Sequence, residues 1–187
     1  MTGATGAVAV VIPFVRSWQP SARAQAAGAP VEVEVDSIAP GQQVLVTWRR
    51  QPVWVLRRTP AMLQRLRSSE LEARLRDPDS EKDQQPDYTD NPLRSIRADI
   101  LVVVAICTHL GCIPKFHPET GKTQFDPQWL GGYFCPCHGS KFDFAGRVYK
   151  DVPAPLNLVI PPYRFTQRDT VIIGENQRHK RNAGYNA

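Results

Sequence analysis

Cysteine is scarce in this 187-residue sequence, with four in all, and no apolar run reaches the length needed to cross a bilayer. A secreted fold framed by disulfides spreads its cysteines along the chain. Here all four lie between Cys107 and Cys137, with His109 and His138 among them, which points to a metal site instead. Internal repeats are absent. So are a basic helical stripe and any motif that reads RNA or DNA. The net charge of +5 comes from scattered residues, the densest being Arg49, Arg50, Arg57 and Arg58 beside apparent strands. It describes a solvated basic surface, and nucleic acid is not an expected partner.

Charge is also missing from Gly3 to Val15, an apolar stretch followed by Arg16 and Trp18, residues suited to a membrane–water interface. A bilayer needs about 20 residues, and no positive segment precedes the run. Residues 1–20 are therefore expected to be part of a membrane-anchor helix whose start lies further upstream, or whose start codon is misassigned. A cleaved signal ending near Ala22-Arg23-Ala24 is the rival reading. Residues 21–30, small and alanine-rich, read as a flexible hinge, and 31–187 as one soluble domain.

Hydrophobic content of 42% suffices for a core, and 17 prolines with several valine-rich runs suggest a mainly β body with many loops. Strict alternation over Val31–Val35 predicts a half-buried strand, and Val44–Trp48 and Val53–Leu56 predict two more. Thr59-Pro60 reads as a helix cap with proline at the first helical position. Met62, Leu63, Leu66, Leu71 and Leu75 then form one imperfect helical stripe ending before Pro78, expected to pack on the core. Asp79 to Pro92 is expected to be loop, Ile100–Ile106 a buried strand, and Asn157–Ile160 and Thr170–Ile173 closing strands.

Two boxes carry the chemistry, Cys107-Thr108-His109-Leu110-Gly111-Cys112 and Cys135-Pro136-Cys137-His138-Gly139-Ser140. A Cys₂His₂ zinc site is the competing assignment for such donors. Zinc fingers pair like with like, whereas each box here mixes thiol and imidazole, and zinc gives no reason for a surplus cysteine in each. Cys112 and Cys137 could bridge the boxes as a disulfide in an oxidising compartment. His117 and His179 read as ordinary histidines.

The boxes resemble the Rieske signature, and the chain is similar to the Rieske iron–sulfur subunits of cytochrome bc complexes, of proteobacterial type. Gly131-Gly132-Tyr133-Phe134 and the run Val152-Pro153-Ala154-Pro155-Leu156-Asn157-Leu158, like a proline-rich loop covering the cluster, extend the likeness. It implies an antiparallel β sandwich or barrel with a cluster-binding subdomain over about 106–155, and a helix-and-loop insertion over Met62–Asn91. It implies one [2Fe–2S] cluster, with Cys107 and Cys135 on the inner iron and His109 and His138 on the outer, at about −150 to +300 mV.

By the same resemblance, quinol meets the cluster at His138 first and His109 second, and proton and electron leave together. Leu110 is expected to offer an apolar docking surface or a cap over the cluster. Ser140 is expected to donate to a bridging sulfide, which raises the potential. Implied partners are cytochrome b and cytochrome c-type subunits in a homodimer of heterotrimers. The implied location is the bacterial inner membrane, single-pass, with a periplasmic head. An oxygenase ferredoxin lacks the surplus cysteines and anchor. The arsenite oxidase Rieske subunit remains an alternative, which the proline-rich loop and the insertion disfavour.

Two residues depart from the family pattern. Asp151 stands where glycine is frequent, and aspartate tolerates left-handed geometry. Phe142 stands where many relatives carry tyrosine, whose hydroxyl bonds near a ligand sulfur. Phe142→Tyr is therefore expected to raise the midpoint by tens of millivolts, on the order of 1 kcal/mol for one electron. A redox titration that shows no rise refutes this.

Overall fold

The computed structural model describes residues 28–166 and 169–177. The expected anchor over 1–20, and the hinge up to residue 27, lie outside them. Among the described residues no helix is long and apolar enough to cross a membrane.

The alternating start of the domain forms β1 (Val31–Glu34), with Val35 turning into a 3₁₀ helix over Val35–Ser37. Next, β2 (Gln43–Trp48) and β3 (Gln51–Arg57) form an antiparallel hairpin in which Trp48 pairs with Gln51. Its two turn residues, Arg49 and Arg50, both take positive φ, at 49° and 63°, as a two-residue hairpin turn requires. The Arg49 guanidinium lies over the Trp48 ring, 4.7 Å from its centroid.

The single helix expected from the Met62–Leu75 stripe divides into α1 (Pro60–Leu66) and α2 (Ser69–Ala73). The cause is local. The Thr59 hydroxyl caps α1 by accepting from the Met62 amide, and the Ser68 hydroxyl captures the Leu71 amide, starting a second helix one turn on. The stripe still does its packing work, since Met62, Leu66, Leu71 and Leu75 are all buried.

The apolar run becomes β4 (Ile100–Val104), buried throughout and paired with β3, and it stops two residues short of the expected Ile106. Three very short strands follow, β5 (Lys115–His117), β6 (Gly132–Phe134) and β7 (Lys141–Phe142). The chain closes with β8 (Tyr163–Phe165) and β9 (Thr170–Ile173). Among the described residues the strands make three antiparallel sheets, ordered β1-β9-β8, β2-β3-β4 and β5-β6-β7. The expected mainly β, antiparallel fold is thus present. The closing strand expected over Asn157–Ile160 is not. There Leu158 donates to the Gly146 carbonyl and Ile160 to that of Gln84, while the Val159 carbonyl accepts from Val104. Bonds scattered over three segments make no ladder.

Beneath the third sheet a buried polar network fixes the hairpin that runs from Phe142 to Val148, which form a β-bridge. Arg147 pairs with Asp143 at 2.7 Å, and both are buried. Buried Arg94 donates to the carbonyls of Ala145 and Leu158, and buried Arg58 to Ser95 and the Leu93 carbonyl. Burial pulls Arg58 and Arg94 down to about 10, so both stay charged at neutral pH. Such charges persist in a core because most of their N–H groups find an oxygen, the buried Nε of Arg58 being left without a partner.

Gly132 is the tightest backbone approach in this sheet. It sits at φ 139°, and a Cβ there would lie 2.1 Å from the Phe142 carbonyl oxygen, with Asp143 backbone also in the way. Gly132→Ala is expected to cost about 3 kcal/mol, the upper end for overpacked sites. Chemical denaturation monitored by far-UV circular dichroism measures it, and an unchanged midpoint contradicts the assignment.

Candidate metal centre

Both boxes fold into the same kind of loop. In the first, which follows β4, the Cys107 amide donates to the Cys112 carbonyl at 2.8 Å and the Gly111 amide to the Cys107 carbonyl at 3.0 Å. In the second, between β6 and β7, the Cys135 amide donates to the Ser140 carbonyl at 2.8 Å and the Gly139 amide to the Cys135 carbonyl at 2.9 Å. The fifth residue of each loop must turn left-handed to close it, and Gly111 and Gly139 do so at φ 83° and 79°. The boxes therefore match in backbone even though their donor spacings differ.

The closures bring the donors together in pairs across the two loops. Cys107 and Cys135 are both free thiols, each 2% exposed, and they face one another. Burial pushes the Cys135 thiol up from its ordinary value, so a thiolate there calls for a nearby positive centre. His109 and His138 meet edge to face, 4.7 Å between ring centroids, the first half-buried and the second exposed. Cys112 and Cys137 form a disulfide with an S–S distance of 2.10 Å, tying one loop to the other. The sulfurs of Cys112, Cys135 and Cys137 lie within 4.8 Å of each other. With two of them consumed in the disulfide, that group offers a metal only the Cys135 thiol. The free donors are then two buried thiols and two imidazoles nearer solvent, a set that suits a two-iron cluster with sulfur on one iron and nitrogen on the other.

Leu110, between His109 and Gly111, projects into solvent at 71% exposure, and Ile113 beyond the disulfide is 52% exposed. Ser140 is fully buried, and its hydroxyl oxygen accepts from the Ala154 amide at 3.0 Å. Asp151, at the entry to the proline-rich loop, takes φ 54°, the left-handed geometry expected of a residue in a glycine position. Phe142 is fully buried and sits opposite Tyr133 in the sheet.

Several supporting residues gave no sign in the sequence. The Thr108 hydroxyl donates to the Leu156 carbonyl at 2.6 Å, so the proline-rich loop is held by one hydroxyl from each box. Thr108 could have been suspected from its place between two donors. Nothing in the pattern singled out Arg76, whose guanidinium donates to the carbonyls of Val152 and Ala154. Nor did it single out Asp126, which pairs with Arg74 at 2.7 Å and Lys141 at 2.8 Å. Burial raises the Asp126 pKa, but Lys141, the Gln128 amide and Arg74 together outweigh it and hold the carboxyl below its ordinary range.

Comparison with known proteins adds the family. The model of the Rieske [2Fe-2S] domain matches residues 79–163. The ubiquinol–cytochrome c reductase iron–sulfur subunit of Allochromatium vinosum is 51% identical over 177 residues, covering 95% of this chain and 84% of the relative. That of Rhodospirillum rubrum is 45% identical over 173 residues, covering 92% and 85%. A solved chain of a hyperthermophilic respiratory Complex III superposes with a TM-score of 0.56 at 26% identity, over 91% of this chain and 93% of the other.

The disulfide closes a loop across 25 positions. Replacing Cys112 and Cys137 together by serine is expected to lower the unfolding free energy by about 3 kcal/mol. Thermal unfolding of the double variant beside the parent checks this, and equal stability counts against a clamping role.

Proposed function

The chain belongs to the Rieske iron–sulfur subunits of ubiquinol–cytochrome c reductase, and from that premise we propose how its residues carry electrons from a quinol to a cytochrome c-type haem. It is an electron-transfer subunit of a quinol–cytochrome c oxidoreductase and carries a Rieske [2Fe–2S] cluster. The observation that supports the site assignment is the pair of matching loops with buried thiols behind and imidazoles in front.

Bound there, the cluster supplies one-electron chemistry at a potential raised by its two neutral imidazole ligands. Cys107 and Cys135 would hold one iron through their thiolates, and His109 and His138 the other through their imidazoles. His138, exposed at the end of its loop, is the quinol contact. Its ring nitrogen not committed to metal accepts a hydrogen bond from the quinol hydroxyl and takes the proton. Half-buried His109 is the second candidate for the same role. Leu110 gives this tip an apolar surface against which a quinol site can close. Ser140 would donate to the bound cluster, since its oxygen already accepts from the Ala154 amide and, among the described residues, no protein acceptor takes its proton.

The working assembly in this reading contains cytochrome b and cytochrome c-type subunits, as a dimer of heterotrimers. Residues 1–20 anchor the chain in the bacterial inner membrane and 21–30 let the head swing. The 31–187 head, with its cluster subdomain over about 106–155, lies on the periplasmic side.

The test is made on the purified complex. Expected are red-brown colour, a Rieske-type EPR signal on reduction and inhibitor-sensitive quinol–cytochrome c activity. Cys107→Ser and His138→Gln should each abolish the signal and reduce turnover by about 100-fold or more, at least the upper end of the loss that outer-shell partners of a ligand cause. A colourless protein holding stoichiometric zinc overturns the reading.

A further inference from the structure

We propose that Arg76 is a positioning residue for the cluster, clamping the proline-rich loop so that the Ala154 amide holds the Ser140 hydroxyl in its donating orientation. This rests on the reading of Ser140 as a sulfide donor.

Arg76 lies just past α2, inside the insertion, where its backbone runs against Val148–Lys150. Its backbone is pinned there. The Arg76 amide donates to the Val148 carbonyl at 2.9 Å, Leu75 bridges Tyr149, and the Lys150 amide donates to the Arg74 carbonyl at 2.8 Å. From that fixed base the side chain reaches two further carbonyls, Val152 at 2.9 Å and Ala154 at 3.0 Å. Among the described residues no carboxylate pairs with it, so its charge is spent on backbone oxygens.

Those two carbonyls flank the Pro153–Ala154 peptide. Its amide hydrogen is the one that Ser140 accepts, at 3.0 Å in a buried position. Pro153 and Pro155 fix φ on either side of Ala154, and the planar guanidinium fork adds two points of attachment. The amide is thereby aimed, and with its oxygen occupied Ser140 directs its proton elsewhere. Without the clamp the loop is free to shift, and the hydroxyl regains rotational freedom. A weaker bond to the electron-rich reduced state lowers the potential.

Arg76 is exposed, so its replacement should leave folding and cluster content intact, which iron analysis and thermal unfolding verify. The test is a double-variant cycle of midpoint potentials in the intact complex. Arg76→Gln is expected to shift the reduction equilibrium downward by about threefold to tenfold, tenfold being about 59 mV for one electron. Arg76→Lys, which keeps the charge but not the fork, should fall nearly as far. In a Ser140→Ala background, Arg76→Gln should lose most of its effect. If Ser140→Ala itself leaves the midpoint unchanged, the serine reading fails and takes this proposal with it. If Ser140→Ala lowers the midpoint, three results overturn the Arg76 role alone: no shift on Arg76→Gln, an equal shift in both backgrounds, or parental behaviour of Arg76→Lys. Loss of the cluster in Arg76→Gln also overturns it, because the residue then sustains assembly and does not tune.

Discussion

The amide of Cys107 reaches across to the carbonyl of Cys112, and the amide of Cys135 to that of Ser140. These two closures turn two stretches of loop into matching brackets, and the rest of the domain holds the brackets in register. Each closure alone constrains six residues. Neither says anything about the distance between brackets, and a four-donor site needs that distance held within a fraction of an ångström. Three independent ties supply it. The Cys112–Cys137 disulfide joins the end of the first bracket, half-buried, to an exposed position within the second. The hydroxyls of Thr108 and Ser140 hold the proline-rich loop across them, and β6 and β7 carry the second bracket on a buried sheet.

The energetics beneath the site follow from burying charge. Among the described residues, Arg58, Arg94 and Arg147 enter the core with one hydrogen-bonded acidic partner, Asp143, and use backbone carbonyls, the Ser95 hydroxyl and the Gln85 side chain for the remainder. Guanidinium groups are suited to this because five donors in a plane can serve several oxygens at once. Removing Arg58 or Arg94 would leave the Phe144 or Ala145 carbonyl of the Phe142–Val148 hairpin without that partner, and removing Arg147 would leave the Asp143 carboxylate without its guanidinium in a dry interior. The hairpin is therefore stiff, and Ser140 and Lys141 precede it directly in the chain.

Much of this was legible in the sequence, and the limits have physical causes. The β2–β3 hairpin and β4 announced themselves because long apolar or alternating runs reflect one buried face. The two boxes were legible because metal chemistry restricts both residue type and spacing. Strands β5, β6 and β7 were not, since two or three residues are too few for a period to show. The division between α1 and α2 turns on the Ser68 hydroxyl capturing one amide, a contest that hydrophobic spacing does not record. Asn157–Ile160 looked like a strand because it is apolar, yet its backbone bonds reach three different segments. Asp126 and Arg76 stayed hidden because what matters about them is which distant oxygen or cation they meet.

The segment between the brackets has a consequence for descent. His117 pairs with Gly132, and Gly121 with Trp129, so the chain that leaves the first bracket is closed twice before it enters the second. Inside the inner pair, Asp126 reaches Lys141 and Phe125 stacks on Phe134, with 4.0 Å between ring centroids, and these are the contacts that touch the flanks of the second loop. Lengthening this inner segment adds closure entropy only as the logarithm of its size. Lineages can therefore insert or delete residues there while the brackets stay unchanged. A change of length there leaves the backbone closures of both brackets in place provided that Phe125 and Asp126 keep these contacts.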